Sequence, residues 1–311
     1  MTRSLITGSN GSVAYYLREW LERNPGAQIF GLSRPDCDLN NFEAVCARLE
    51  VSKPDVIYHC ASDANVRESW IYPREVIENN VNGTVNLFEA IRAVGIRPVV
   101  QVCSTSEVYG SPWHWPIGED WQLAPLNPYA VSKAAQDMLA SIYEKAYGIP
   151  VVITRAFGYI NPRRADLALI SFARQIAEIE AGRRHVLKHG NLDTYRTFCD
   201  VRDIVKAYEL AASLGEGVYN IGSSERISVE QCLAALCDMA TVAIPREFDQ
   251  ALARPADVTN IVPDCTRFRQ RTGWEPQISF KESLTWLLNY CRQEVQHGAM
   301  VKDALGEPAG A

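Results

Sequence analysis

The chain has 311 residues, 47% of them apolar, which is enough for one large domain or two smaller ones around a sizeable core. Its formal net charge is −6 with no run of like charges, so neither nucleic acid nor a membrane is an expected partner, and an anionic ligand needs a local basic pocket. No apolar run reaches membrane-spanning length and no leader-like pattern precedes the first strand, so a cytoplasmic protein is expected. The nine cysteines form no C-x-x-C pair and fall mostly inside apolar segments, and read as buried free thiols. His185 and His189 stand on a strand-like stretch without the glutamate of a zinc helix, and read as partly exposed side chains.

Leu5-Ile6 predicts a short strand running into Thr7-Gly8-Ser9-Asn10-Gly11-Ser12-Val13-Ala14, after which Val13, Tyr16, Leu17, Trp20 and Leu21 recur at helical spacing. Such a turn lets the backbone approach a pyrophosphate and sets a positive helix end against it, so Gly8, Asn10 and Gly11 are candidate dinucleotide contacts. Ala14 replaces a third glycine and is still small enough for close packing. The next strand, 27–32, ends in Ser33-Arg34, where a carboxylate would mark a free ribose 2′-hydroxyl. An arginine there suits a 2′-phosphate and favours NADP over NAD, although Asp36 and Asp38 stand close. Asp38 and Leu39 are candidates to flank the adenine.

A third strand, 55–59, leads into Cys60-Ala61-Ser62, small residues that let the chain pass beside a cofactor. Residues 75–94 predict one long helix, with Val81, Val85, Phe88 and Ile91 among its apolar positions and Gly95 as its stop. Strand 99–102 carries Ser104-Thr105-Ser106-Glu107-Val108-Tyr109-Gly110 at its carboxyl end, where open α/β sheets bind ligands. A helix over 129–147 sets Tyr129 and Lys133 one turn apart on one face, and 151–154 is a fifth strand. This alternation predicts an α/β fold with a doubly wound parallel sheet.

Beyond Phe157 the alternation loosens into helices at 167–181 and 201–214 and strands near Val186 and at 218–221. The expected division is a dinucleotide-binding domain over 1–157, a smaller substrate lobe over 158–300 with about 193–222 returning to the sheet, and a tail over 301–311. Low hydrophobicity predicts fraying after about Gln296.

Tyr129 is a candidate base for a sugar hydroxyl. A free phenol has a pKa of about 10, and the Lys133 ammonium is expected to lower it and to hold the nicotinamide ribose. Thr105 can bond the same oxygen, Glu107 can remove a proton beside a ketone, and Ser106 can assist a leaving hydroxyl. Arg196 and Arg254 are candidates for a diphosphate, because guanidinium forks match phosphate oxygens, and Arg163 and Arg164 are candidates for the nucleotide or a subunit contact.

Further segments are Asn80-Val81-x-Gly83-Thr84-x-Asn86-Leu87, Arg196-x-Phe198-x-Asp200-Val201-x-Asp203, Tyr219-Asn220-x-Gly222-Ser223, Arg254-Pro255-x-Asp257 and Gly273-Trp274-x-Pro276. With the glycine turn, Thr105-Ser106-Glu107 and Tyr129-x-x-x-Lys133, they resemble the extended short-chain dehydrogenases/reductases that act on nucleotide sugars, in that family's order over nearly the whole chain. Within it the likeness divides. Pro162-Arg163-Arg164 and Thr105-Ser106-Glu107 resemble the GDP-mannose 4,6-dehydratases, whereas Gly190-Asn191-Leu192-Asp193 and Ala173-Arg174-Gln175-Ile176 resemble the GDP-4-keto-6-deoxymannose reductases.

The resemblance implies a 4,6-dehydratase that carries hydride from C4 to C6 on NADP, with GDP-mannose the favoured substrate, in a homodimer or homotetramer. The alternatives are the 4-keto reductase or another nucleotide-sugar dehydratase or epimerase, and then a non-catalytic nucleotide-binding protein. Two positions depart from the family's pattern. Gly158 stands where an asparagine usually contacts the sugar diphosphate, and Thr197 stands where an aspartate usually follows the diphosphate arginine. Both leave room for a different sugar or a shifted pose.

Overall fold

The computed structural model of the chain describes residues 2–164, 167–252 and 261–305. The first half reads β1 (Arg3–Thr7), α1 (Ser12–Leu21), β2 (Gln28–Leu32), α2 (Phe42–Ser52), β3 (Val56–His59), α3 (Val66–Ile71), α4 (Pro73–Ile77), a π-helical turn (Glu78–Asn82) and α5 (Gly83–Val94). It continues with β4 (Val99–Thr105), a 3-10 turn (Ser106–Tyr109), α6 (Pro128–Tyr147) and β5 (Val151–Ala156). The second half holds β6 (Tyr159–Ile160), α7 (Ala168–Glu180), β7 (Leu187–His189), β8 (Tyr195–Thr197), β9 (Cys199–Asp200), α8 (Val201–Leu214) and β10 (Gly217–Ile221). After these come β11 (Arg226–Ser228), α9 (Val229–Asp238), β12 (Arg246–Phe248), a 3-10 turn (Gln250–Leu252), α10 (Thr266–Thr272) and α11 (Phe280–Leu305).

Six strands pair in parallel in the order β10-β5-β4-β3-β1-β2. A parallel sheet is covered on both faces, which is why every residue of β5 is buried. On one face α1 and α8 bring Leu17, Val205 and Tyr208 to the core, and on the other Val45, Phe88, Ile91 and Tyr143 form its counterpart. A separate apolar cluster joins α7, α9 and α11 through Ile176, Leu233 and Leu287. The chain winds outward from β1 to β2 and then returns past β1 to β3. Ligands of open α/β sheets bind at such a switch point, and here the carboxyl ends of β1 and β3 carry Thr7-Gly8 and Cys60-Ala61.

Several elements differ from their sequence-based expectation. The helix expected over 75–94 widens into a π turn, which leaves the Asn80 carbonyl to accept from Gln136 Nε2 at 3.1 Å and from the Thr84 hydroxyl at 2.6 Å. β4 runs to Thr105 because Ser104 and Thr105 keep pairing with Arg155 and Ala156 although the apolar pattern has ended. Asp55 stays outside β3, its carboxylate taking the Arg3 N–H at 2.7 Å. The strand expected near Val186 starts at Leu187. α11 reaches Leu305, since Ala299, Met300, Lys302, Ala304 and Leu305 are intrinsic helix formers even where hydrophobicity is low. No helix among the described residues is long and apolar enough to cross a membrane.

Candidate active site

The turn after β1 has no room for a side chain at either of its glycines. Gly8 has a φ of +65°, and a Cβ on it would lie 2.7 Å from the Ala61 Cα, while one on Gly11 would lie 2.9 Å from the Gly8 carbonyl oxygen. Gly11 stands at the N-cap of α1 with no side-chain cap and no acidic residue in the first turn, whereas Asn41, Asn127, Asp200 and Ser228 cap α2, α6, α8 and α9. The first N–H groups of α1 therefore stay available to an anion, and these residues fit a dinucleotide pyrophosphate. Asn10 is exposed at the turn, and the Ala61 N–H is fixed to the Thr7 hydroxyl at 3.2 Å.

At the end of β2, Ser33 is half-buried and Arg34 is exposed, with Arg34 Nη2 3.5 Å from an Asp63 oxygen. Asp38 accepts from the Asn40 N–H at 2.9 Å, so the carboxylate drawn to Arg34 comes from beyond β3 rather than from its own loop. Leu39 is held to α5, its carbonyl accepting from Asn86 Nδ2 at 2.9 Å and its side chain packing over Gly83.

The reactive end is built from β4 and α6. Thr105 caps the 3-10 turn that Ser106 opens, its hydroxyl accepting the Glu107 N–H at 3.3 Å and hydrogen-bonding to the Tyr129 phenol. Asn127 caps α6 through the Ala130 N–H at 2.8 Å and with its other side-chain atom donates to Glu107 Oε2 at 3.1 Å. One amide thus fixes the carboxylate to the first turn of the helix that carries Tyr129.

Burial pushes the Tyr129 phenol well above its ordinary value; Tyr159 and Glu107 push the same way, while the Arg164 charge and the Thr105 hydroxyl oppose them. The lowered phenol expected from sequence is not found, because burial outweighs the neighbouring charges. Lys133 is buried and donates to the Cys103 carbonyl at 2.8 Å, and burial lowers its own pKa. Its charge is felt instead by His59, which burial first and Lys133 second bring down to about 3.

His59 belongs to a buried network that supports both halves of the site. Its Nδ1 lies 2.8 Å from the Thr7 hydroxyl and its Nε2 2.9 Å from that of Thr84; Gln136 Nε2 donates to the Thr84 hydroxyl at 2.6 Å, and Asn80 Nδ2 to the Ser132 hydroxyl at 2.8 Å. The glycine turn, the π turn and α6 are therefore held in one register.

The candidate phosphate arginines separate. Arg163 leaves the Tyr129 region and lies 4.1 Å from the Tyr15 ring centroid on α1, whereas Arg164 turns inward and its Nη2 donates to the Ala64 carbonyl at 3.3 Å. Arg196 is half-buried on β8 and donates to the Tyr195 carbonyl at 3.1 Å, and Arg254 lies outside the described residues. Two motif aspartates, Asp200 and Asp203, tie elements together. Asp200 caps α8 and accepts from Ser283 at 2.6 Å, and Asp203 accepts the Gln277 and Ile278 N–H groups, each at 2.8 Å. Asn127 and Tyr159 were not singled out from sequence. An asparagine before a proline at a helix start signals a cap and could have found Asn127, whereas nothing local marks Tyr159.

The model of the GDP-mannose 4,6-dehydratase family matches residues 18–286. The chain belongs to that family. Among curated relatives of this family member, the GDP-6-deoxy-D-mannose reductase of Pseudomonas aeruginosa is 32% identical over 300 residues, covering 92% of this chain and 96% of its own. The GDP-mannose 4,6-dehydratase of Vibrio cholerae is 25% identical and covers 96% of each chain. A solved structure described as RMD from Pseudomonas aeruginosa complexed with NADPH superposes with a TM-score of 0.86 at 30% identity, over 94% of this chain and all of that one. The chain is thus an enzyme of the nucleotide-sugar dehydratase, reductase and epimerase group, on a Rossmann-type sheet.

Proposed function

We propose that this family member is a nucleotide-sugar 4,6-dehydratase that uses NADP and converts GDP-mannose to GDP-4-keto-6-deoxymannose. The observation that carries this reading is the Glu107 carboxylate, bonded by Asn127 at 3.1 Å beside the start of the Tyr129 helix. A plain ketone reductase has no use for a base there. Gly8 and Gly11 with the α1 N-terminus would hold the pyrophosphate, Ser33 and Arg34 the adenosine end, and Lys133 the nicotinamide ribose. When bound, NADP supplies the acceptor and later the donor of the hydride.

Tyr129 takes the proton of the sugar 4-hydroxyl, with Thr105 bonded to the same oxygen. Once C4 is a ketone the C5 proton is acidic, and Glu107 removes it. The C6 hydroxyl leaves as water with a proton delivered from Glu107, assisted by Ser106, and the product is completed when C6 regains the hydride and C5 takes a proton from solvent. Arg164 and Arg196 are the described cations for the diphosphate, and NADPH in the solved Pseudomonas aeruginosa relative supports the choice of cofactor.

The test is incubation with GDP-mannose in the absence of added reduced cofactor, following loss of one water by mass. Wild type is expected to dehydrate the sugar and Glu107→Gln to be slower by roughly a hundredfold or more. A second reading, reduction of a 4-keto sugar, is favoured by the protonated state in which burial holds Tyr129, since ketone reduction needs an acid, and by the likeness to the Pseudomonas aeruginosa reductase. NADPH oxidation with the 4-keto sugar and no change in GDP-mannose would select it.

A further inference from the structure

The carboxyl end of β2 holds a cation that neither the glycine turn nor Ser33-Arg34 accounts for. Arg18, in the last turn of α1, extends beneath Gly31: a Cβ on that glycine would lie 2.7 Å from Arg18 Nη2 and 2.7 Å from the Ser9 hydroxyl oxygen. Any larger residue at 31 would displace the guanidinium. The Ser9 N–H donates to the Leu32 carbonyl at 3.0 Å, so the glycine turn, the Arg18 tip and the end of β2 meet at one point, two residues before Ser33. Arg18 is half-buried, and among the described residues its guanidinium has no hydrogen-bond or ion-pair partner.

A half-buried guanidinium without an anion costs free energy that a bound anion would recover. Arg34, the expected partner of a 2′-phosphate, is 63% exposed and partly neutralised by Asp63 at 3.5 Å. A phosphate monoester carries a charge of about −1.5 to −2 near neutral pH, more than one solvated and already paired arginine balances. We infer that Arg18 is a specificity-determining residue for the adenosine 2′-phosphate of NADP, reaching it from α1 through the gap left by Gly31. Arg34 and Arg18 then hold the phosphate from opposite sides of the β2 end, with the Ser9 and Ser33 hydroxyls between them.

This rests on the reading of the cofactor as NADP, and calorimetric titration of the full chain with NADPH and with NADH separates the two. Arg18→Ala is expected to weaken NADPH by roughly ten- to a hundredfold and to leave NADH unchanged. Arg18→Lys, which keeps a charge but loses the fork, is expected to show a smaller loss confined to NADPH. Equal loss of both cofactors would make Arg18 a packing residue and overturn the inference. A wild type that prefers NADPH together with an Arg18→Ala variant that keeps the full preference would overturn it alone. A wild type without any preference for NADPH would overturn the cofactor reading along with it.

Discussion

Gly158 and Thr197 are pressed backbone to backbone: a Cβ at 158 would overlap the Thr197 carbonyl oxygen, and the Cys199 N–H donates to the Gly158 carbonyl at 2.9 Å. The two positions that depart from the expected pattern thus touch each other, the Thr197 backbone filling the space that a side chain at 158 would need. Gly158→Asn is expected to lower stability by about 1–3 kcal/mol through overpacking, seen as a melting temperature several degrees below wild type. An unchanged melting temperature would show that the two segments separate freely.

The state of Tyr129 predicts the pH dependence. Burial raises the phenol, so its ionised fraction grows with pH through the neutral and mildly alkaline range. Single-turnover oxidation at C4 should rise between pH 6.5 and 8.5, an interval of about two units in which the base form increases steadily. Tyr129→Phe should lose at least about a hundredfold at all of these pH values. A flat profile with wild type would mean that this phenol acts as an acid, the behaviour the reductase reading requires.

His59 should make the fold sensitive to mild acid. Its folded pKa is about 3, against an ordinary value of 6.5, so below the latter the unfolded chain binds a proton that the folded chain refuses. Stability contributed by the neutral ring is present above pH 6.5 and declines by about 1.4 kcal/mol per pH unit below it. Urea unfolding at pH 7 and pH 5 should therefore differ more for wild type than for His59→Gln. Identical differences in the two proteins would remove His59 as the cause.

One face of α6 exposes Val131, Met138 and Ile142, which are 45%, 59% and 56% accessible, and α3, packed beside it, ends at Trp70, Ile71 and Tyr72, all more than half exposed. The homo-oligomer expected from sequence is predicted to close across this exposed apolar face. Met138→Glu should convert a dimer or tetramer to smaller species in sedimentation velocity without unfolding the chain. Wild type sedimenting as a single chain would rule this out.

What the sequence determined by itself is whatever depends on near neighbours along the chain. The strand, glycine turn and helix of residues 5–21, the one-turn spacing of Tyr129 and Lys133, and the place of Thr105-Ser106-Glu107 at the end of β4 were legible because each follows from backbone periodicity or from a steric demand over a few residues. The tertiary structure alone decided where the long side chains point. Asn127 binds Glu107, Lys133 turns to the Cys103 carbonyl, Arg163 leaves for Tyr15 while Arg164 faces inward, and Arg18 passes under Gly31. Thr197 excludes a side chain from Gly158 only because β6 and β9 pair across that gap in the chain. Lysine and arginine tips can reach many partners of nearly equal energy, so packing between distant segments, which no local pattern encodes, selects among them.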